Sequence, residues 1–279
     1  MWDKILHKYL KAPYILNVRE FQTPKPQVAT IILLHGIGSS LGMWDPHVKK
    51  MPADVRIIAV DLLGFGASPQ PDWNVYNART QADSLATTLF SMKITGPVVV
   101  VGHSLGSLVS IEFARRYPLM TKSLVLVSPP LYKPDRDPKR FDFKPEELLR
   151  RMYTLMHDNP SATERVLRMA GKYHLLNKGF SAVNVNVPAY LQSLETAIIN
   201  QQSYRDILRI KRPIHIISGQ LDPIVLDETI EDIVALRPNV QWTRVLGGHE
   251  IVGLVQSATI KAVRAAVSEA KAREALKLT

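Results

Sequence analysis

Cysteine is absent from this chain of 279 residues. Without it there is no disulfide framework, no thiolate nucleophile and no Cys-ligated zinc or iron–sulfur cluster. Long hydrophobic runs are missing as well. The best, Thr30 to Leu34, falls far short of the roughly 18 apolar residues that cross a bilayer. Met1 to Asn17 mixes Lys, His and Asp with apolar side chains and lacks the apolar stretch of about 7–15 residues that marks a secretory signal. The expectation is a soluble, cytoplasmic protein without a membrane span.

Aromatic residues make up only 7% of the chain, which matters because the charge is one-sided: 35 Lys+Arg against 25 Asp+Glu leave a formal net charge of +10. A nucleic-acid partner would need basic residues interleaved with aromatic stacking platforms. Here the positive residues come as scattered doublets, such as Lys49-Lys50, Arg115-Arg116, Lys139-Arg140 and Arg150-Arg151. The sequence therefore reads as a solvated basic surface with no nucleic-acid partner. The hydrophobic share of 46% and charged share of 22% are those of a globular protein.

What is present is a rhythm. Thr30 to Leu34 leads into His35-Gly36-Ile37-Gly38, Val55 to Val60 into Asp61-Leu62-Leu63-Gly64-Phe65-Gly66, Val98 to Val101 into Gly102-His103-Ser104, and Ser123 to Val127 into Ser128-Pro129-Pro130. Continuous apolar runs alternating with helix-like stretches predict strands buried on both faces, hence an α/β fold with a mostly parallel sheet flanked by helices. The rhythm stops at about Leu131 and resumes at Pro213 to Gly219 and Val240 to Leu246, ahead of a last helix through Ile260, Val263, Ala266 and Val267. Between the two halves, Lys133 to Asp142 reads as an exposed excursion. Three helical segments follow: one opened by Pro145 with an apolar face of Leu148, Leu149, Met152, Leu155 and Met156; one carrying Val166, Leu167, Met169 and Ala170; and one opened by Asn186-Val187-Pro188. The organisation predicted is a core from residues 1–130 and 205–279, interrupted by a helical cap at 131–204.

Gly102-His103-Ser104-Leu105-Gly106 matches G-x-S-x-G, and its context sharpens the match. A strand precedes it and a helical stretch follows, the strand–turn–helix setting in which a serine sits on a tight elbow with its hydroxyl exposed. A serine hydroxyl needs a base. Of eight histidines, His215 lies inside a strand, and His103 adjoins the serine but should diverge from it at the elbow. His7, His47, His157 and His174 lie away from strand ends. His249, in Leu246-Gly247-Gly248-His249 directly after the last strand, is the candidate base. The imidazole needs a carboxylate partner. Asp222, after the strand ending at Gly219, is the candidate, with Asp227, Glu228 and Asp135 as rivals. No metal-ligand spacing of histidines appears, and no cofactor is required.

The chain order Ser104, Asp222, His249, together with the elbow, His35-Gly36 and Asp61 to Ser68, resembles the α/β-hydrolase superfamily, in its serine-nucleophile branch with a helical cap. The resemblance implies an oxyanion hole from the backbone N–H groups of Ile37 and Leu105. It implies a carboxylesterase acting on small to medium acyl esters, a small-molecule substrate. Thioesterases and C–C bond hydrolases share the pattern, although the latter often carry Trp after the histidine, where this chain has Glu250. A slow-turnover ligand receptor is the alternative from another class. A dinucleotide fold would use Gly36-Ile37-Gly38 and Asp61, but its third glycine is missing: Leu41 stands there, and Pro46 interrupts the helix that would follow.

Overall fold

The computed structural model describes residues 2, 4–24, 29–134, 145–159, 161–163, 165 and 186–275, with side chains described as far as Ala270. Among the sequence expectations, the segment Val166 to Ala170, His174, Asp135 and Lys139-Arg140 lie outside the described residues.

Among the described residues, seven strands form one sheet: β1 (Val18–Gln22), β2 (Thr30–Leu34), β3 (Arg56–Val60), β4 (Val98–His103), β5 (Thr121–Val127), β6 (Ile214–Gly219) and β7 (Val240–Val245). Their spatial order is β1-β3-β2-β4-β5-β6-β7. Every neighbouring pair is parallel except β1 with β3, in which Val18 faces Val60. The apolar runs are explained by burial on both faces. Ile32, Leu34, Val98 and Val100 enter one core with Leu85, Leu89, Leu108 and Phe113. Their alternates Ile31, Leu33, Val99 and Val101 enter a second with Trp44, Val255, Val263 and Ala266. A period of two thus sends successive side chains to opposite layers, and an all-apolar strand satisfies both.

The helices that supply those layers are α1 (Ala78–Ser91), α2 (Leu105–Arg116) and α6 (Asp227–Leu236) on the first face, and α7 (Gly253–Ala275) on the second. Asn77 caps α1 by accepting the Thr80 N–H at 2.8 Å. The insert between β5 and β6 contributes α3 (Pro145–Asp158), α4 (Val187–Ser193), which runs on as a π-type turn at Leu194–Ile199, and the short α5 (Ser203–Ile207). Asn186 caps α4 through the Ala189 N–H at 3.0 Å.

Two features differ from the sequence reading. Strand β1 is absent from it, because Val-Arg-Glu-Phe-Gln at a sheet edge carries no apolar run; the Arg56 guanidinium grips Glu20 there at 2.8 and 3.0 Å. The apolar face expected on α3 is only partly used. Leu149 is buried and Tyr153 donates to Glu195 at 3.0 Å, while Leu148, Met152 and Leu155 are exposed. The helix meets its neighbour along one edge of its stripe, so the rest of the stripe faces outward.

The strand order positions the site. From β2 the chain steps outward to β3, whereas from β4 it steps the other way to β5. Neighbours β2 and β4, with Leu34 opposite Gly102, therefore flank the point where the connections diverge. Crevices for ligands open at the carboxyl ends of strands at such a switch point.

Candidate active site

Ser104 immediately follows β4 with φ 51° and ψ −117°, a region that residues with a Cβ rarely occupy. The surroundings hold it there. Its N–H extends the ladder to the Val127 carbonyl at 2.9 Å, and its carbonyl accepts from Ser107 N at 2.9 Å. The Ser107 hydroxyl closes back on the Gly102 carbonyl at 2.8 Å. The elbow leaves no room beside it: a Cβ on Gly102 would lie 2.3 Å from the Gly106 carbonyl oxygen, and one on Gly106 2.5 Å from that of Leu34. The two glycines of the motif are thus required by backbone-to-backbone approach.

The loop after β2 arrives beside the serine. A Cβ on Gly36 would lie 3.3 Å from the Ser104 Cβ and 3.0 Å from His103 Nδ1. His35 anchors this loop from within the core. Its Nε2 accepts the Leu62 N–H at 2.9 Å, which puts its proton on Nδ1, 2.7 Å from the Gly36 carbonyl. Burial lowers the His35 pKa below its ordinary value and keeps it neutral, as this pattern requires.

Asp222 and His249 come from the loops after adjacent strands β6 and β7. Backbone bonds from Gln220 N to the Val245 carbonyl (2.9 Å) and from Leu221 N to the Gly247 carbonyl (2.8 Å) join the two loops. His249 Nδ1 lies 2.8 Å from Asp222 Oδ2. The other carboxylate oxygen accepts the N–H groups of Ile224 at 2.9 Å and Val225 at 3.3 Å. Burial raises the Asp222 pKa, but the bonds from His249 and the two amides outweigh it and leave the carboxyl below its usual value. The His249 side chain stays 19% exposed while that of Asp222 is fully buried. A buried carboxylate thus orients an imidazole that solvent can reach. Of the rival acids, Asp227 is held by Arg244 at 2.6 Å.

His103, set aside in the sequence reading, belongs to this cluster. Its Nε2 donates to the His249 carbonyl at 2.9 Å, and the two rings stand 5.1 Å apart. Burial, reinforced by the neighbouring His249, pushes its pKa down to about 3. Its place in the motif could have signalled proximity to the serine, but no sequence pattern indicates which backbone it holds. His215 is buried in β6 as expected, with Nε2 3.5 Å from Glu269. Asp61, the acid of the dinucleotide alternative, is filled by protein donors: Leu41 N (2.7 Å), Asn17 Nδ2 (2.8 Å) and Ala67 N (2.9 Å). The buried carboxylate thus accepts from the protein's own N–H groups where a dinucleotide fold would have it accept from a ribose hydroxyl.

The model of the α/β hydrolase fold family matches residues 29–254, which covers the sheet from β2 onward and all of the cluster just described. The chain belongs to the α/β hydrolase fold family. The chain is 31% identical over 118 residues to an Arabidopsis thaliana protein named probable lysophospholipase BODYGUARD 4, a stretch covering 41% of this chain and 28% of that one. The chain spans well under half the length of the curated relatives it matches. Among solved structures, an esterase from Exiguobacterium antarcticum superposes with a TM-score of 0.75 at 16% identity, covering 91% of this chain and 95% of that one. The enol-lactonase of Burkholderia xenovorans LB400 superposes with a TM-score of 0.68 at 17% identity, covering 91% and 96%. At such identities the likeness is one of fold, and one hydrolase fold carries many substrates.

Proposed function

We propose that this α/β hydrolase fold protein is a serine carboxylesterase that cleaves small to medium acyl esters. The observation that carries the reading is the Asp222–His249 pair at 2.8 Å, at the same sheet edge as a serine held at φ 51° on a strand–helix elbow. In this reading Ser104 Oγ attacks the acyl carbonyl while His249 Nε2 takes its proton. The tetrahedral oxyanion is held by the N–H groups of Ile37 and Leu105. His249 then protonates the leaving alcohol, and water, activated by the same imidazole, releases the acid and restores Ser104. Asp222 keeps the proton of the neutral imidazole on Nδ1 and stabilises the imidazolium. Backbone donors suit the oxyanion because they are oriented before the reaction begins.

The insert at 131–204 is proposed as the cap that selects the acyl group. In support, Leu149, Ala189 and Leu194 join the core cluster that includes Leu105 and Leu108, next to the proposed nucleophile. The test is hydrolysis of p-nitrophenyl esters from acetate to palmitate by wild type and Ser104→Ala. The expected result is a chain-length optimum in the wild type and loss of nearly all turnover in a variant that melts like the wild type. Substantial turnover by Ser104→Ala, or none by a folded wild type on any ester, overturns the proposal.

A further inference from the structure

Near the amino terminus, residues Trp2, Ile5, Leu6 and Tyr9 recur at the i, i+3, i+4, i+7 spacing of an amphipathic helix. Such a stripe ordinarily faces a core. Here it does not: Trp2 is 82% exposed, Tyr9 and Leu10 are each 69% exposed, and no residue of the turn Lys4–Tyr9 is buried. Lys4, Lys8 and Lys11 are interleaved with these side chains, and Asp3 is the one acid among residues 2–11.

The segment is nonetheless tied to the body of the protein. The His7 ring stacks on buried Tyr14 at 3.7 Å. Lys4 Nζ stands 5.2 Å from the Trp73 ring, in the loop that also carries the exposed Val75 and the buried Tyr76. Tyr76 and Ala189 of α4 crowd the same point, a Cβ built on Gly64 meeting them at 2.6 and 2.8 Å. The apolar patch therefore adjoins the sheet edge at which β3 ends and the insert packs.

We propose that residue 2 and residues 4–11 dock the protein on an anionic lipid surface. Trp and Tyr favour the headgroup boundary, Ile and Leu insert beneath it, and the lysines match the negative charge of the surface. A second copy fits the patch less well, since a two-fold contact would bring the lysines of both copies together. The mode is peripheral, because no helix among the described residues is long and apolar enough to cross a membrane. Docking in this way turns the insert side of the molecule toward the lipid.

The test is co-sedimentation of the full chain with vesicles of phosphatidylcholine alone and of phosphatidylcholine mixed equally with phosphatidylglycerol. Thermal melting of each variant serves as the control for folding. The expected result is sedimentation with the anionic vesicles only, reversed by high salt. Lys4→Glu/Lys8→Glu/Lys11→Glu should lower the partition coefficient by about two orders of magnitude, and Trp2→Ala/Tyr9→Ala/Leu10→Ala by tenfold or more. In a wild type minus Trp2→Phe difference spectrum, the Trp2 emission should shift to the blue with anionic vesicles. Equal binding to both vesicles, or to neither, overturns the proposal. So does self-association without lipid that the Trp2/Tyr9/Leu10 variant abolishes, which would assign the patch to a second copy.

Discussion

His103 holds the backbone of His249: its Nε2 donates to the His249 carbonyl at 2.9 Å, from the end of β4 to a loop 146 residues further along the chain. The residue before the proposed nucleophile thus sets the height of the proposed base. His103→Phe keeps an aromatic ring but removes the donor, leaving the carbonyl without its partner at a cost of about 1–3 kcal/mol. Turnover of a p-nitrophenyl ester should fall by roughly 10–100-fold with KM little changed, because misplacing a reacting group by an ångström has that effect. His103→Gln, whose amide offers an N–H, should recover part of the loss. Steady-state kinetics of the two variants check this, and an unchanged kcat in His103→Phe would refute the positioning role.

The same histidine predicts an acid dependence of stability. Burial depresses its folded pKa to about 3, against an ordinary 6.5. The unfolded chain therefore binds the proton first as pH falls. The stability contributed by neutral His103 is complete above about 6.5 and drains away between 6.5 and 3. Denaturant melts between pH 7 and 4 should show a slope steeper in wild type than in His103→Phe by up to ~1.4 kcal/mol per pH unit. Parallel slopes would remove His103 from the account.

Asp222→Asn tests the carboxylate. An amide that still accepts the Ile224 and Val225 N–H groups must turn its NH2 toward His249 Nδ1. The imidazole then carries its proton on Nε2, where it cannot act as base. The variant should fold while losing about 10⁴-fold in kcat, as tautomer reversal does in Ser-His-Asp enzymes generally. Circular dichroism and kinetics on one preparation check this. Activity near wild type would pass the role to another carboxylate.

Much of the fold was legible because its strands are buried on both faces. An all-apolar run bounded by glycine has few other uses, so β2 through β6 stand out in the text of the chain. The edge strand β1 does not, since an edge needs no apolar face, and this one carries Arg19 and Glu20. On α3 the pattern overstated the packing: Leu148, Met152 and Leu155 have the spacing of a buried stripe, but they are exposed while Leu149 is buried. At Trp2 to Tyr9 the same spacing lies on an exposed face. Periodicity reports that a face exists, and nothing about what covers it.

For the candidate site, sequence alone determined the chemistry available: a serine between glycines after a strand, an aspartate and a histidine after later strands, and no cysteine. These are local properties, because the elbow is dictated by a few adjacent residues and their steric limits. The tertiary structure decided which groups meet. Strand order put β2 beside β4 and β6 beside β7, which brought Gly36 to Ser104 and Asp222 to His249. It also recruited His103 to a carbonyl that no spacing in the sequence could have named. The physical reason is that a hydrogen bond selects its partner by position within a few tenths of an ångström, and position between distant segments exists only once the sheet has assembled.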